Sequence, residues 1–142
     1  IEPYDVLTLD AYVGPHADSP DLTPERMGNA QKLVLAVNAL GDEMQAGGIH
    51  FPVNPRTGTR VSGKTFGGFR PQDCPQGAPD SAHKEGMACD LYDPHGDLDA
   101  WLTGHPDALE RHDLYREAPE ATATWLHIST RAPPSGHRTY FP

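Results

Sequence analysis

Basic residues are in short supply in this chain. Lys and Arg number 11 against 20 Asp and Glu, a formal net charge of −9. A binder of duplex nucleic acid needs a basic face for the phosphates, and this balance argues against one. Long apolar runs are also missing. None approaches the roughly 20 residues needed to span a bilayer, so no membrane insertion is expected. Cysteine is scarce: Cys74 and Cys89 are the two present, too few for a disulfide scaffold. They could close one loop, or Cys89 could be a small buried hydrophobe on a strand. No signal-peptide pattern opens the chain, which begins at Ile1 rather than Met. Such an opening is compatible with a leader removed by processing.

Glycine and proline are plentiful, 14 and 15 of 142 residues, well above the roughly 12% of average usage. Apolar residues persist between them, so the pattern predicts long shaped loops around a modest core. The length fits one domain, residues 1–142. Residues 1–22 read as irregular. Thr23-Pro24 then reads as a helix start, with Thr23 as cap and Pro24 in the first turn. Leu22 and Met27 stand at staple spacing. Met27, Ala30, Leu33, Val34, Val37 and Leu40 follow with helical period, and Gly41 reads as the stop.

Residues 47–69 read as short β pieces and turns, with turn chemistry at Asn54-Pro55 and Thr57-Gly58. Residues 70–80 read as a loop. Strands are expected over 87–92, 114–116 and 125–130, and short helices over 97–102 and 106–112. The tail is Pro-rich from Pro133 onward. Together these elements predict an α+β domain, helices packed on an antiparallel sheet.

The chemistry concentrates in residues 81–90, Ser-Ala-His-Lys-Glu-Gly-Met-Ala-Cys-Asp, and in Trp125-Leu126-His127-Ile128-Ser129. Strand alternation puts Ala88, Asp90 and Tyr92 on one face of their strand, and Trp125, His127 and Ser129 on one face of theirs. Two neighbouring strands could therefore aim Asp90 and His127 at one point. Gly86 lets the chain turn from His83 into the strand. Two imidazoles and a carboxylate suit zinc, and three protein ligands leave a position for water. The other histidines, His16, His50, His95, His105, His112 and His137, carry no such pattern. Of these, His105 and His112 read as helix-end residues.

The string S-x-H-x-x-G-x-A-x-D followed by W-x-H resembles the M15 peptidases: zinc D-Ala-D-Ala carboxypeptidases, D,D-dipeptidases and phage L-alanyl-D-glutamate endolysins. Ser81, His83, Gly86, Ala88 and Asp90 match the first motif, and Trp125 and His127 the second. Gly68-Phe69-Arg70-Pro71 resembles the family's S-G-[FY]-R-x segment, with Gly67 where Ser usually stands. The likeness covers residues 67–129, and the ends look most like small phage or prophage members. It implies a hedgehog/D,D-peptidase-like fold and a domain acting on peptidoglycan stem peptides at the cell wall, or one associated with a phage particle.

The resemblance also implies roles. His83, Asp90 and His127 would bind Zn2+. Arg70 would bind the substrate carboxylate or stabilise the oxyanion; outside the motif it would read as a surface arginine. Ser81 would hydrogen-bond near the metal or fix the His83 loop. One position departs from the pattern. Many members carry Asp or Glu three residues before the last His, where it takes a proton from the zinc water, and this chain has Thr124 there. Threonine cannot do that work near neutral pH. Another branch carries Glu at the end of the preceding strand. Glu117 fits that place, with Glu120 as the nearby alternative. A domain that keeps the metal without turnover, with a structural or wall-binding role, is the rival expectation.

Overall fold

The computed structural model describes residues 6–63, 65–76 and 81–142. They contain four α-helices: α1 (Leu9–Val13), α2 (Pro24–Ala46), α3 (Asp97–Gly104) and α4 (Asp107–Arg111). The strands are β1 (Ala88–Tyr92), β2 (Tyr115–Glu117), β3 (Trp125–Ser129) and β4 (Thr139–Tyr140). No helix among the described residues is long and apolar enough to cross a membrane.

Helix α2 starts where the capping chemistry predicts. The Thr23 side chain accepts from Arg26 N–H, and Pro24 opens the first turn. Leu33, Val37, Leu40 and Met44 lie on its buried side. Gly41 does not stop it; the helix continues to Ala46 and ends at Gly47. The glycine is there for packing, because a Cβ at position 41 would lie 2.4 Å from Val6 Cγ2. The opening stretch is also more ordered than its sequence suggests. Thr8 caps α1 by accepting from Ala11 N–H, and Tyr12 and Val13 enter the core. The expected β pieces in residues 47–69 shrink to isolated bridges, Asn54 with Thr59 and Val61 with Leu91.

The sheet runs in the order β1-β3-β2-β4. β3 pairs antiparallel with β1 and with β2, but β4 is parallel to β2. The sheet is therefore mixed, which corrects the all-antiparallel expectation. The cause is topological. After β3 the chain crosses the end of β2 and returns on its far side, so β4 opposes β3 and runs the same way as β2. The Pro-rich tail supplies this strand, held by Arg116 N–H to Arg138 O and Ala118 N–H to Tyr140 O, both at 2.7 Å.

Alternation gives the sheet two unlike faces. Cys89 is paired with Ile128 and Leu91 with Leu126; all four are in the core with Leu33, Val37, Leu40, Leu98 and Leu102. Each such side chain contributes roughly 1.5–3 kcal/mol by leaving water. Cys74 and Cys89 are both free and buried, and Cys89 is the small core residue on a strand that its sequence context allowed. The other face carries Asp90 and His127. Arg116, on β2, ties α3 to the sheet: it donates to Asp99 Oδ1 and Asp99 O at 2.9 Å, to Thr103 Oγ1 and to Thr139 Oγ1. Burial pushes the Asp99 carboxyl up to about 6, while Arg116 pulls it the other way.

Candidate metal centre

The register of the strands builds the site. Asp90 on β1 is opposite His127 on β3. Tyr115 is opposite Ser129 and Arg116 opposite Ile128, so one further step brings Glu117 on β2 beside His127. Glu117 is in turn the partner of Tyr140 on β4. Asp90, His127, Glu117 and Tyr140 thus form a single row across all four strands, neighbours roughly 4.8 Å apart along the sheet.

His83 reaches this row from a turn. Gly86 makes that turn possible, at φ +75°, and a Cβ there would also stand 2.5 Å from Arg26 O of α2. The Ser81 hydroxyl accepts from His83 N–H at 3.3 Å, which fixes the loop. His83 Nδ1 is 2.9 Å from Gly68 O, so Nδ1 donates to that carbonyl and Nε2 is the nitrogen turned toward the row. That nitrogen lies 3.4 Å from Asp90 Oδ1. His127 Nδ1 lies 2.9 Å from the same oxygen. One ligand atom from each of His83, Asp90 and His127 falls within 4.8 Å of the other two, and all three residues are buried.

The segment 67–70 supports both halves of the triad. Gly67 O accepts from Asp90 N–H at 2.7 Å, and Arg70 N–H donates to His83 O at 3.2 Å. Phe69 N–H donates to Tyr12 O at 3.0 Å, and the Tyr12 hydroxyl donates to Ala88 O at 2.8 Å. Arg70 is half-buried here. Its Nε donates to Phe66 O at 2.7 Å, and a terminal nitrogen lies 3.4 Å from Asp90 Oδ2. Burial works against a charged Asp90, but His83, then His127, outweigh it and hold the carboxyl well below the usual range. Asp90 is therefore an anion at neutral pH.

Around the triad is a cleft of about 520 Å3 whose lining includes Arg70, Ser81, Glu117 and Trp125. Glu117 Oε1 is 3.8 Å from His127 Nε2. Glu120 is exposed in the 3-10 turn Pro119–Ala121 and is not part of the lining. Thr124 is exposed, in the bend just before β3, and also outside it. Two polar cleft residues, Arg131 and Tyr140, had no signal in the motifs. For Tyr140 the missed cue was the alternation of a two-residue strand inside a Pro-rich tail. Burial, with Glu117 adding to it, raises the Tyr140 phenol to about 12, so it is a hydrogen-bond donor at neutral pH.

Of the remaining histidines, His105 and His112 have partners away from the triad. His105 Nδ1 contacts Trp101 O at 2.8 Å and its ring stacks on Trp101. His112 and Arg111, at the end of α4, meet Glu43 of α2.

Comparison of the chain with models of known families, with curated proteins and with solved structures returns no match. The likeness to M15 peptidases therefore rests on the motif residues themselves.

Proposed function

We propose that this chain is a zinc peptidase of the D-Ala-D-Ala carboxypeptidase type, with a hedgehog/D,D-peptidase-like fold. It hydrolyses an amide bond in peptidoglycan stem peptides, one involving a D-amino acid. The observation that carries this reading is the convergence of His83, Asp90 and His127 at the floor of a cleft that also holds Arg70 and Glu117. The donor set fits zinc. Ligand atoms of a tetrahedral zinc site stand roughly 3.3 Å apart, and the separations about Asp90 Oδ1, 2.9 and 3.4 Å, bracket that value. The Gly68 carbonyl on His83 is the kind of outer partner that fixes a ligand imidazole.

His83, Asp90 and His127 would hold the zinc, whose chemistry there would be to lower the pKa of a bound water toward neutrality and to polarise the scissile carbonyl. The chain's own residues supply the rest. Among the described residues Glu117 is the one side-chain carboxylate in the lining besides Asp90, so it takes the proton from the attacking water and passes it to the leaving amine. Arg70 offers planar donors to the developing oxyanion or to a substrate carboxylate. Its contact with Asp90 holds the guanidinium at the cleft before substrate arrives. Ser81 keeps the His83 turn in place.

A second reading, a metal-binding module without turnover, for example in a phage particle, is favoured by one geometric fact. Glu117 lies beside Nε2 of His127, whereas Nδ1 of that ring faces Asp90. A carboxylate in that place can orient the imidazole without serving as a base. A turnover assay of the zinc-loaded protein against a panel of stem peptides decides between the two: hydrolysis supports the peptidase, and zinc binding with no cleavage of any peptide supports the module.

A further inference from the structure

A second cleft, of about 400 Å3, lies next along the triad's face of the sheet, and its lining includes Asn54, Arg56, Ser62, Tyr92 and Thr124. Tyr92 stands two positions from Asp90 on β1, so alternation sends both side chains out on one face. Its cross-strand partner is Trp125, which lines the metal cleft, and Thr124 immediately precedes Trp125. The step from Asp90 to Tyr92 is roughly 7 Å along the strand, the reach of two residues of extended peptide.

The backbone of this cleft is pinned to the strand that carries Asp90. Ser62 N–H donates to Asp90 O at 2.8 Å, and Tyr92 N–H donates to Arg60 O at 2.7 Å. Asn54 is buried and ties the Arg56 turn to that segment. Its Nδ2 donates to Ser62 O at 2.8 Å, and its Oδ1 accepts from Arg56 N–H at 3.0 Å. On the other side, Asp93 N–H donates to Thr124 O at 3.1 Å. The side chains of the lining are not committed in this way. Among the described residues, neither a hydrogen bond nor an ion pair engages the Arg56 guanidinium or the hydroxyls of Ser62, Tyr92 and Thr124. Arg56 is also the one charged side chain among the described residues of the lining. A guanidinium offers its N–H donors in a planar fork, and each hydroxyl can donate one more hydrogen bond. Such a set of donors, in a chain of net charge −9, selects for a carboxylate on whatever enters.

We propose that this cleft is a second substrate subsite, which seats a carboxylate of an extended acidic peptide about two residues from the scissile amide. Arg56 pairs with that carboxylate, and the Tyr92 and Thr124 hydroxyls donate to it or to the adjoining peptide carbonyl. This rests on the stem-peptide reading above. It also gives position 124 a use: threonine leaves the charge of Arg56 to the ligand, whereas an acid there would neutralise it.

The test uses the zinc-loaded full chain carrying Glu117→Gln, so that peptide survives the measurement, with its integrity checked by mass spectrometry. The probes are L-alanyl-γ-D-glutamyl-L-lysyl-D-alanyl-D-alanine and the same peptide with the D-glutamyl α-carboxylate converted to its amide. Calorimetry should show the acid form bound about tenfold more tightly than the amide form. Arg56→Gln and Thr124→Asp should each bring the two forms within about twofold of one another, with circular dichroism unchanged. Lys32→Gln, which removes the same charge at an exposed position of α2, should leave the preference. Equal binding of the two forms, no measurable binding of either, or a preference that survives Arg56→Gln or Thr124→Asp overturns the proposal. Turnover by the chain with Glu117 restored separates this result from the peptidase reading. Cleavage of both forms with equal kcat/KM, unaltered by Arg56→Gln, overturns the subsite and leaves the peptidase. No cleavage of either form, with the acid preference and its Arg56 dependence intact, removes the peptidase and leaves the subsite.

Discussion

Replacing Glu117 with Gln tests which job that carboxylate does. The substitution keeps size and hydrogen-bonding capacity but removes the proton acceptor. Two roles are compatible with its position in the cleft, 3.8 Å from His127 Nε2, and they differ in what they change. A general base contributes roughly 100- to 10,000-fold to the rate, about 3–5 kcal/mol of barrier, and nothing to metal affinity. A carboxylate that only orients His127 contributes to affinity instead, on the order of 10- to 100-fold for such outer partners. The 3.8 Å separation is longer than a hydrogen bond, so Glu117 is not committed to His127. We therefore expect Glu117→Gln to lose turnover by at least about 100-fold while zinc affinity stays within a few-fold. Glu120→Gln, in an exposed turn, should change neither. The assay pairs hydrolysis of the stem-peptide panel with zinc competition against a chromophoric chelator. Full activity in Glu117→Gln would refute the base assignment, and full activity with a 10- to 100-fold loss of zinc affinity would establish the orienting role.

Arg70→Ala should lower turnover on the order of 100-fold, about 3 kcal/mol, with zinc content and circular dichroism unchanged; wild-type turnover would return Arg70 to an ordinary surface role. Arg116→Met should destabilise the fold by roughly 3–5 kcal/mol in chemical denaturation, because it leaves Asp99 buried without its counter-charge, and Arg116→Met with Asp99→Asn should recover much of the loss. Glu43 is held down at about 2, from 4.5, by the Arg111 hydrogen bond above all, against the upward effect of burial and with His112 adding to the lowering. A carboxyl lowered in the folded state adds stability above its unfolded pKa that disappears as pH falls. Stability should accordingly decline between about pH 4.5 and 2, and Glu43→Gln should flatten that part of the curve; an unchanged slope would show that the pair contributes nothing measurable.

Much of the candidate site was legible in the sequence because it lies on period-two positions. Asp90 and His127 each sit on a strand whose alternation is plain, and the facing of Ala88 with Asp90 and of Trp125 with His127 follows from it. Helix α2 was legible at its start, where capping chemistry is local, and illegible at its end. Gly41 looks like a stop in sequence, but its meaning lies in Val6, distant in the chain, which needs the space. The parallel β4 was missed for a related reason. Two residues are too few to show a period, and the reason they form a strand is a pair of hydrogen bonds to β2. Distinguishing Glu117 from Glu120 also required three dimensions, because the register of β2 against β3 places the first in the row and the 3-10 turn carries the second out to solvent.

The most direct test of the central claim is zinc content measured together with turnover, on protein purified without chelator, for wild type and for the paired substitution His83→Ala with Asp90→Ala. The account predicts one zinc per wild-type chain and cleavage of at least one stem peptide, with both lost in the double variant while the fold persists. Unchanged zinc content in the double variant would contradict the assignment of His83, Asp90 and His127 as the metal centre.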